Sequence, residues 1–174
     1  MREKVTGARL EEFMKALGSG VTEAARVYLV GGASSVLLGW RDATIDVDLK
    51  LAPENDELLR RLPSLKERLQ LNIELASPAD FIPEVPGWRE RSRFIRQEGK
   101  LTFLHYDFYA QALAKIERGH AIDLKDVRDL IQGRLVEPAR LLELFSQIED
   151  QLHRYPALDP ESFRRAVESV VDSS

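Results

Sequence analysis

Ile45-Asp46-Val47-Asp48-Leu49-Lys50-Leu51 places an apolar residue at every odd position and a charged one at every even position. Strict alternation is the mark of a β-strand with one face on a core and a polar opposite face. Leu71-Asn72-Ile73-Glu74-Leu75 alternates in the same sense, and Arg26-Val27-Tyr28-Leu29-Val30 reads as a short buried strand. Arg93 to Ile95 and Leu101 to Leu104, parted near Gly99, suggest a hairpin. Strands are therefore expected near 26–30, 45–51, 71–76, 93–96 and 101–106.

Helices fill the space between them. Leu10, Phe13, Met14 and Leu17 recur at helical spacing over 8–17, and Gly18-Ser19-Gly20 stops that helix. After Gly31-Gly32 the chain can turn helical from Ala33 to Leu38. Pro53-Glu54-Asn55-Asp56-Glu57 looks like a helix start, and Pro63 is expected to split the helical stretch beyond it into two short pieces. Ser77 to Gly87, with three prolines, is the main loop. From Phe108 onward helices are expected at 108–118, 123–132, 138–154 and 160–171, the last capped by Asp159-Pro160-Glu161. The fold class is thus α/β (α+β): a small mixed β-sheet flanked by helices over 1–107, with a helical C-terminal extension over 108–174 packed on that core.

The chain has 174 residues, 44% of them hydrophobic and 31% charged. That supplies a real core and is too apolar for a disordered chain. Absence of cysteine excludes disulfides, thiolate metal sites and cysteine nucleophiles. A net charge of -4 argues against a broadly basic nucleic-acid coat, though a local basic patch remains compatible with it. No apolar run has the length of a membrane span, and Met1-Arg2-Glu3-Lys4 lacks the apolar stretch of a signal peptide. A cytoplasmic location, without membrane association, is the expectation.

Asp is depleted in strands, so Asp46 and Asp48 need a reason. At strand spacing they share a face, about 6.5–7 Å apart along the chain. Two ionised carboxylates that close repel unless a positive charge lies near them. Mg²⁺ answers that need, because it takes carboxylate oxygens together with substrate phosphates. The alternative is a half-exposed strand whose polar face meets water, with Lys50 softening the repulsion. Upstream, Leu29-Val30-Gly31-Gly32-Ala33-Ser34-Ser35 runs a strand into two glycines and then hydroxyl residues at a helix start. Glycine lets backbone N–H groups approach a phosphate, and a helix start favours its charge. An ordinary tight turn would also account for the glycines. The Gly-Lys-Ser/Thr ending of a Walker loop is missing, as is the three-glycine dinucleotide fingerprint. Ser34 and Ser35 are better suited to binding phosphate or capping a helix than to nucleophilic attack.

Gly31-Gly32, a short helix, Arg41, Thr44 and Ile45-Asp46-Val47-Asp48-Leu49 together resemble the signature of the DNA polymerase beta-like nucleotidyltransferase superfamily. The likeness covers residues 28–51 and is nearest to the minimal nucleotidyltransferases that include toxins of AbiEii and MenT type. The resemblance implies that the glycine turn, with Ser34, Ser35 and Arg41, holds the triphosphate of an NTP, and that Asp46 and Asp48 bind catalytic Mg²⁺ or Mn²⁺. A second block, Gln111 to Val127, is similar to a downstream motif of those toxins. It implies that Lys115 contacts triphosphate, with Arg118 three residues on, and that Asp126 supports the metal site or a neighbouring basic group. A solvated helix face with ion pairs is the alternative for these three residues.

Members of that superfamily usually add a third acid from a neighbouring strand. Glu74, on the polar face of 71–75, is the candidate, and Asp107 the competitor. Arg89, Arg91 and Arg93 would line one face of an extended segment beside Trp88, as a track for triphosphate or an RNA backbone or as a charged strand edge. His105, His120 and His153 show no metal-site spacing and are expected to be structural or on the surface. The resemblance implies a Mg²⁺-dependent nucleotidyltransferase acting on tRNA, another RNA or a partner protein in a toxin–antitoxin setting. The alternative is a catalytically inactive binding or regulatory module on the same fold. The sequence does not indicate base preference or oligomeric state.

Overall fold

A computed structural model of the protein describes residues 3–174. Met1 and Arg2, which belong to the stretch considered for a leader, lie outside the described residues. The chain forms two compact units. One runs up to Ser77 and resumes over Ser92–His105, and the other comprises Pro78–Arg91 and Tyr106–Ser174.

The first unit holds β1 (Val5–Thr6), α1 (Gly7–Gly18), β2 (Ala25–Val30), α2 (Gly32–Leu37), β3 (Ala43–Thr44), β4 (Asp46–Ala52), α3 (Asp56–Leu69), β5 (Asn72–Leu75), β6 (Arg93–Glu98) and β7 (Leu101–His105). Five strands form one mixed sheet in the order β5-β4-β2-β7-β6. β4 is antiparallel to β2 and parallel to β5, β2 is parallel to β7, and β6–β7 is an antiparallel hairpin. β1 and β3 pair in a separate two-stranded ribbon that the alternation pattern does not announce, because each is only two residues long.

The alternation sets the two faces. Val47, Leu49 and Leu51 of β4 point into a core with Val27 and Leu29 of β2, Ile73 of β5 and Phe103 of β7. Leu10, Phe13, Met14 and Leu17 from α1 and Leu58, Leu62 and Leu65 from α3 close that core. Asp46, Asp48 and Lys50 are therefore left on the opposite face of the sheet.

One expectation for the core helices needs correction. Pro63 does not divide the segment after Pro53: Asp56–Leu69 is one helix with Pro63 inside it. The ring costs the Leu59 carbonyl its usual N–H partner. The helix continues because Leu58, Leu62 and Leu65, on both sides of the proline, are buried in one stripe. The Asn55 side chain caps its start by accepting from the Leu58 N–H at 2.9 Å.

The second unit has a 3₁₀ turn at Pro78–Asp80 and α4 (Trp88–Arg91), followed by α5 (Phe108–Arg118), α6 (Ala121–Gln132), α7 (Pro138–Ile148) and α8 (Pro160–Asp172). The segment expected as a single helix over 138–154 tightens to 3₁₀ geometry at Glu149–Arg154. Leu113, Ile116, Val127, Leu141, Leu144, Phe145 and Val167 are among its buried side chains. Among the described residues no helix is long and apolar enough to cross a membrane.

Candidate active site

β2 delivers the chain to the glycine turn beside the acidic strand. Val30 is the register partner of Asp48, so Gly31 and Gly32 come directly where the paired carboxylates stand. Gly31 has φ 64° and ψ -128°, a conformation that side chains strongly disfavour. A Cβ placed on it would lie 3.9 Å from Asp48 Oδ2, which shows how near the turn comes to that carboxylate. Gly32 is required for a different reason. A Cβ there would collide with the Thr44 side chain and lie 3.3 Å from Arg41 Nη1. Arg41 and Thr44 thus border the turn, as their place in the motif suggested.

The acidic face has a definite layout. β4 and β5 run parallel with Asp46 opposite Asn72 and Asp48 opposite Glu74. Four polar side chains therefore start from the corners of a rectangle, about 4.8 Å across the strands and about 6.5–7 Å along them. Asp46 and Asp48 are half-buried, while Glu74 is exposed. The Asn72 amide nitrogen donates to Asp46 Oδ1 and, at 3.2 Å, to Glu74 Oε1. Asn72 was not among the residues expected from the sequence. The signal was present, since Asn72 shares the polar face of its strand with Glu74, but an amide carries no charge to draw attention.

Asp46, Asp48 and Glu74 thus put three carboxylates, hard-oxygen groups, on one polar face of the sheet. Among the described residues, however, no three His, Cys, Asp or Glu side chains are grouped so as to hold an ion by themselves. The set fits an ion that takes one or two carboxylates and completes its shell with phosphate and water oxygens.

The remaining residues expected at the site have other surroundings. Ser34 is buried, its hydroxyl donating to the Leu29 carbonyl at 3.1 Å and lying 3.0 Å from His105 Nδ1. Ser35 is also buried, with its backbone N–H donating to the Gly31 carbonyl at 3.1 Å. His105 is structural in this sense: burial, aided by the nearby charge of Arg93, lowers its pKa to about 4. Its imidazole is therefore neutral at pH 7.

In the second unit Lys115 Nζ meets Asp126 Oδ2 at 2.7 Å, with both side chains largely buried. Arg118 Nε meets Asp123 Oδ2 at 2.9 Å, with Asp123 buried and Arg118 exposed. Both pairs link α5 to α6. Asp107, the competitor for the third acid, caps α5 by accepting from the Tyr109 and Ala110 N–H groups. Its Oδ2 also receives Arg91 Nη2 at 2.7 Å.

The expected arginine track is not an extended segment. Trp88–Arg91 is a helical turn whose buried Trp88 ring stacks on Tyr106 at 4.5 Å between centroids, and of the three arginines only Arg93, the first residue of β6, lies on a strand. The side chains of Arg89 and Arg91 consequently diverge. Arg89 lies over the Trp88 ring at 4.9 Å, and Arg91 turns to the Pro86 carbonyl and Asp107.

A small mixed sheet with a glycine turn delivered beside paired strand carboxylates, flanked by helices, is consistent with an α+β fold of nucleotidyltransferase type. The chain belongs to a family described as nucleotidyltransferase of unknown function (DUF6036), whose model matches residues 8–168. No curated protein and no solved structure matches the chain.

Proposed function

We propose that the protein transfers a nucleoside monophosphate from an NTP to a hydroxyl acceptor, with Mg²⁺ or Mn²⁺ as cofactor. The observation that carries this reading is the approach of the Gly31 turn to Asp48, on the sheet face that also bears Asp46 and Glu74. An NTP needs both parts, a backbone turn for its phosphates and carboxylates to hold its metal.

Asp46 and Asp48 hold the ion, and Glu74 contributes from the neighbouring strand. Once bound, the ion would neutralise charge on the triphosphate and on the attacking and leaving oxygens. Gly31 and Gly32 let the chain come close to the phosphates, and Arg41 adds positive charge at their edge. Ser34 supports the turn from beneath through its bond to Leu29. The acceptor oxygen forms a bond to the α-phosphorus while the bond from that phosphorus to the α–β bridging oxygen breaks. Pyrophosphate leaves with the electron pair, and the hydroxyl proton passes to a carboxylate of the acidic face.

The acceptor class rests on the resemblance to AbiEii and MenT-type toxins, which favours an RNA end, tRNA in particular, over a protein hydroxyl. A toxin–antitoxin setting and a cytoplasmic location belong to the same proposal. The test incubates each α-labelled NTP with total tRNA and Mg²⁺ and tracks label on RNA together with pyrophosphate release. Labelled RNA that disappears with Asp46→Asn or Asp48→Asn is the expected result. Metal-dependent NTP binding without transfer to RNA or protein would favour the inactive binding module instead. The exposed position of Glu74 is the observation on which that second reading stands.

A further inference from the structure

Asn72 occupies the corner of the acidic rectangle directly opposite Asp46. Asp46 Oδ1 and Glu74 Oε1, two of the neighbours that its amide meets, are carboxylate oxygens. Ionised carboxylates only accept, so the amide nitrogen must be the atom that faces them. One NH₂ group thereby joins two like charges from adjacent strands and offsets part of the repulsion between them. It also fixes which Asp46 oxygen is engaged, and so orients the other.

We propose that Asn72 is a positioning residue for the metal-binding carboxylates. It holds Asp46 and Glu74 in one hydrogen-bonded row and so sets where their oxygens stand relative to an incoming ion. The inference rests on the reading of Asp46 and Asp48 as metal ligands and extends it to a residue that carries no charge. Groups that orient a metal ligand from behind commonly change metal affinity by about 10–100-fold when removed. Replacing the amide by a carboxylate has a different consequence: it removes the donor and adds a fourth acid to the rectangle. Without metal that face then repels itself more strongly, and with metal it has one more oxygen to offer.

The experiment titrates Mn²⁺, without nucleotide, into the wild type, Asp48→Asn, Asn72→Ala and Asn72→Asp. Bound ion is read by paramagnetic resonance, and the melting temperature of each protein is taken with and without Mn²⁺. Wild type should bind and Asp48→Asn should not. Asn72→Ala should need about tenfold more Mn²⁺ for half-saturation while melting near the wild-type temperature without metal. Asn72→Asp should melt lower than wild type without Mn²⁺ and gain more from its addition, as expected only if position 72 faces the ion that Asp46 holds. Should Asn72→Ala fold poorly, Asn72→Asp decides alone. Wild-type Mn²⁺ affinity in Asn72→Ala, or a wild-type metal response in Asn72→Asp, overturns the proposal. Failure of the wild type to bind Mn²⁺ overturns it too, whereas metal-dependent nucleotide binding by Asp46 and Asp48 is judged separately by calorimetry.

Discussion

Ser34 Oγ and His105 Nδ1 lie 3.0 Å apart in the interior of the first unit. Ser34 gives its only proton to the Leu29 carbonyl, so it accepts from the His105 N–H. The imidazole is thus held as the neutral tautomer with its proton on Nδ1. The serine joins the end of β2, the start of α2 and the end of β7, and so braces the glycine turn from below.

That pairing predicts a loss of stability in acid. Burial lowers the His105 pKa to about 4, from an ordinary value of 6.5. Between those values the unfolded chain binds a proton that the native one does not. Stability is therefore full above pH 6.5 and falls as the pH drops toward 4, by up to about 3 kcal/mol. Urea unfolding across that range should show the slope, and His105→Phe should remove this residue's share of it. An unchanged slope in the variant would count against a buried neutral histidine.

Substitution at the glycine turn should separate two kinds of strain. Gly31→Ala forces a side chain into a disfavoured backbone region and should cost about 1–3 kcal/mol. Gly32→Ala meets the Thr44 side chain instead, and must displace Thr44 and its pairing with Val5. Both variants should lose nucleotide affinity along with melting temperature. A fully stable Gly32→Ala would show that Thr44 can move aside freely.

Lys115 and Asp126 predict a stability effect that any activity measurement has to control for. Lys115→Met leaves the buried Asp126 carboxylate without this partner and should cost about 3–5 kcal/mol. The Lys115→Met/Asp126→Leu double variant should regain much of that loss, because neither charge is then buried. Denaturant unfolding of the three proteins measures the difference.

Pro63 offers a gain. In the middle of α3 it denies the helix one N–H, at a cost of about 3 kcal/mol relative to alanine. Pro63→Ala should raise stability by about 1–3 kcal/mol, less whatever the freer unfolded chain recovers. Thermal unfolding checks the sign, and a lower melting temperature would mean that the ring itself packs well.

Much of the first unit was legible because its signals are local. Asp46–Ala52 declared its faces by alternation, and Gly31-Gly32 declared a turn. Residues whose roles depend on distant partners were harder to read. Ser34 looked like a phosphate ligand because of its place after the glycines, yet its hydroxyl is occupied by Leu29 and His105, the latter 71 residues away in the chain. Asn72 lay in view on an alternating strand, but only the register of β4 against β5 places it beside Asp46. The arginine run misled because Trp88–Arg91, with Trp88 buried, is a helical turn that spacing alone did not reveal. Pro63 misled in the opposite direction, since a stripe of buried leucines outweighed a strong local breaker.

The most direct test of the central claim is calorimetric titration of ATP, GTP, CTP and UTP, with and without Mg²⁺, into the wild type and Asp48→Asn. At least one nucleotide should bind only with Mg²⁺, and Asp48→Asn should weaken that binding by at least about tenfold, or about 1.4 kcal/mol. Nucleotide binding that is indifferent to both Mg²⁺ and the substitution, or no binding of any of the four, would contradict a metal–nucleotide site at Asp46, Asp48 and the Gly31 turn.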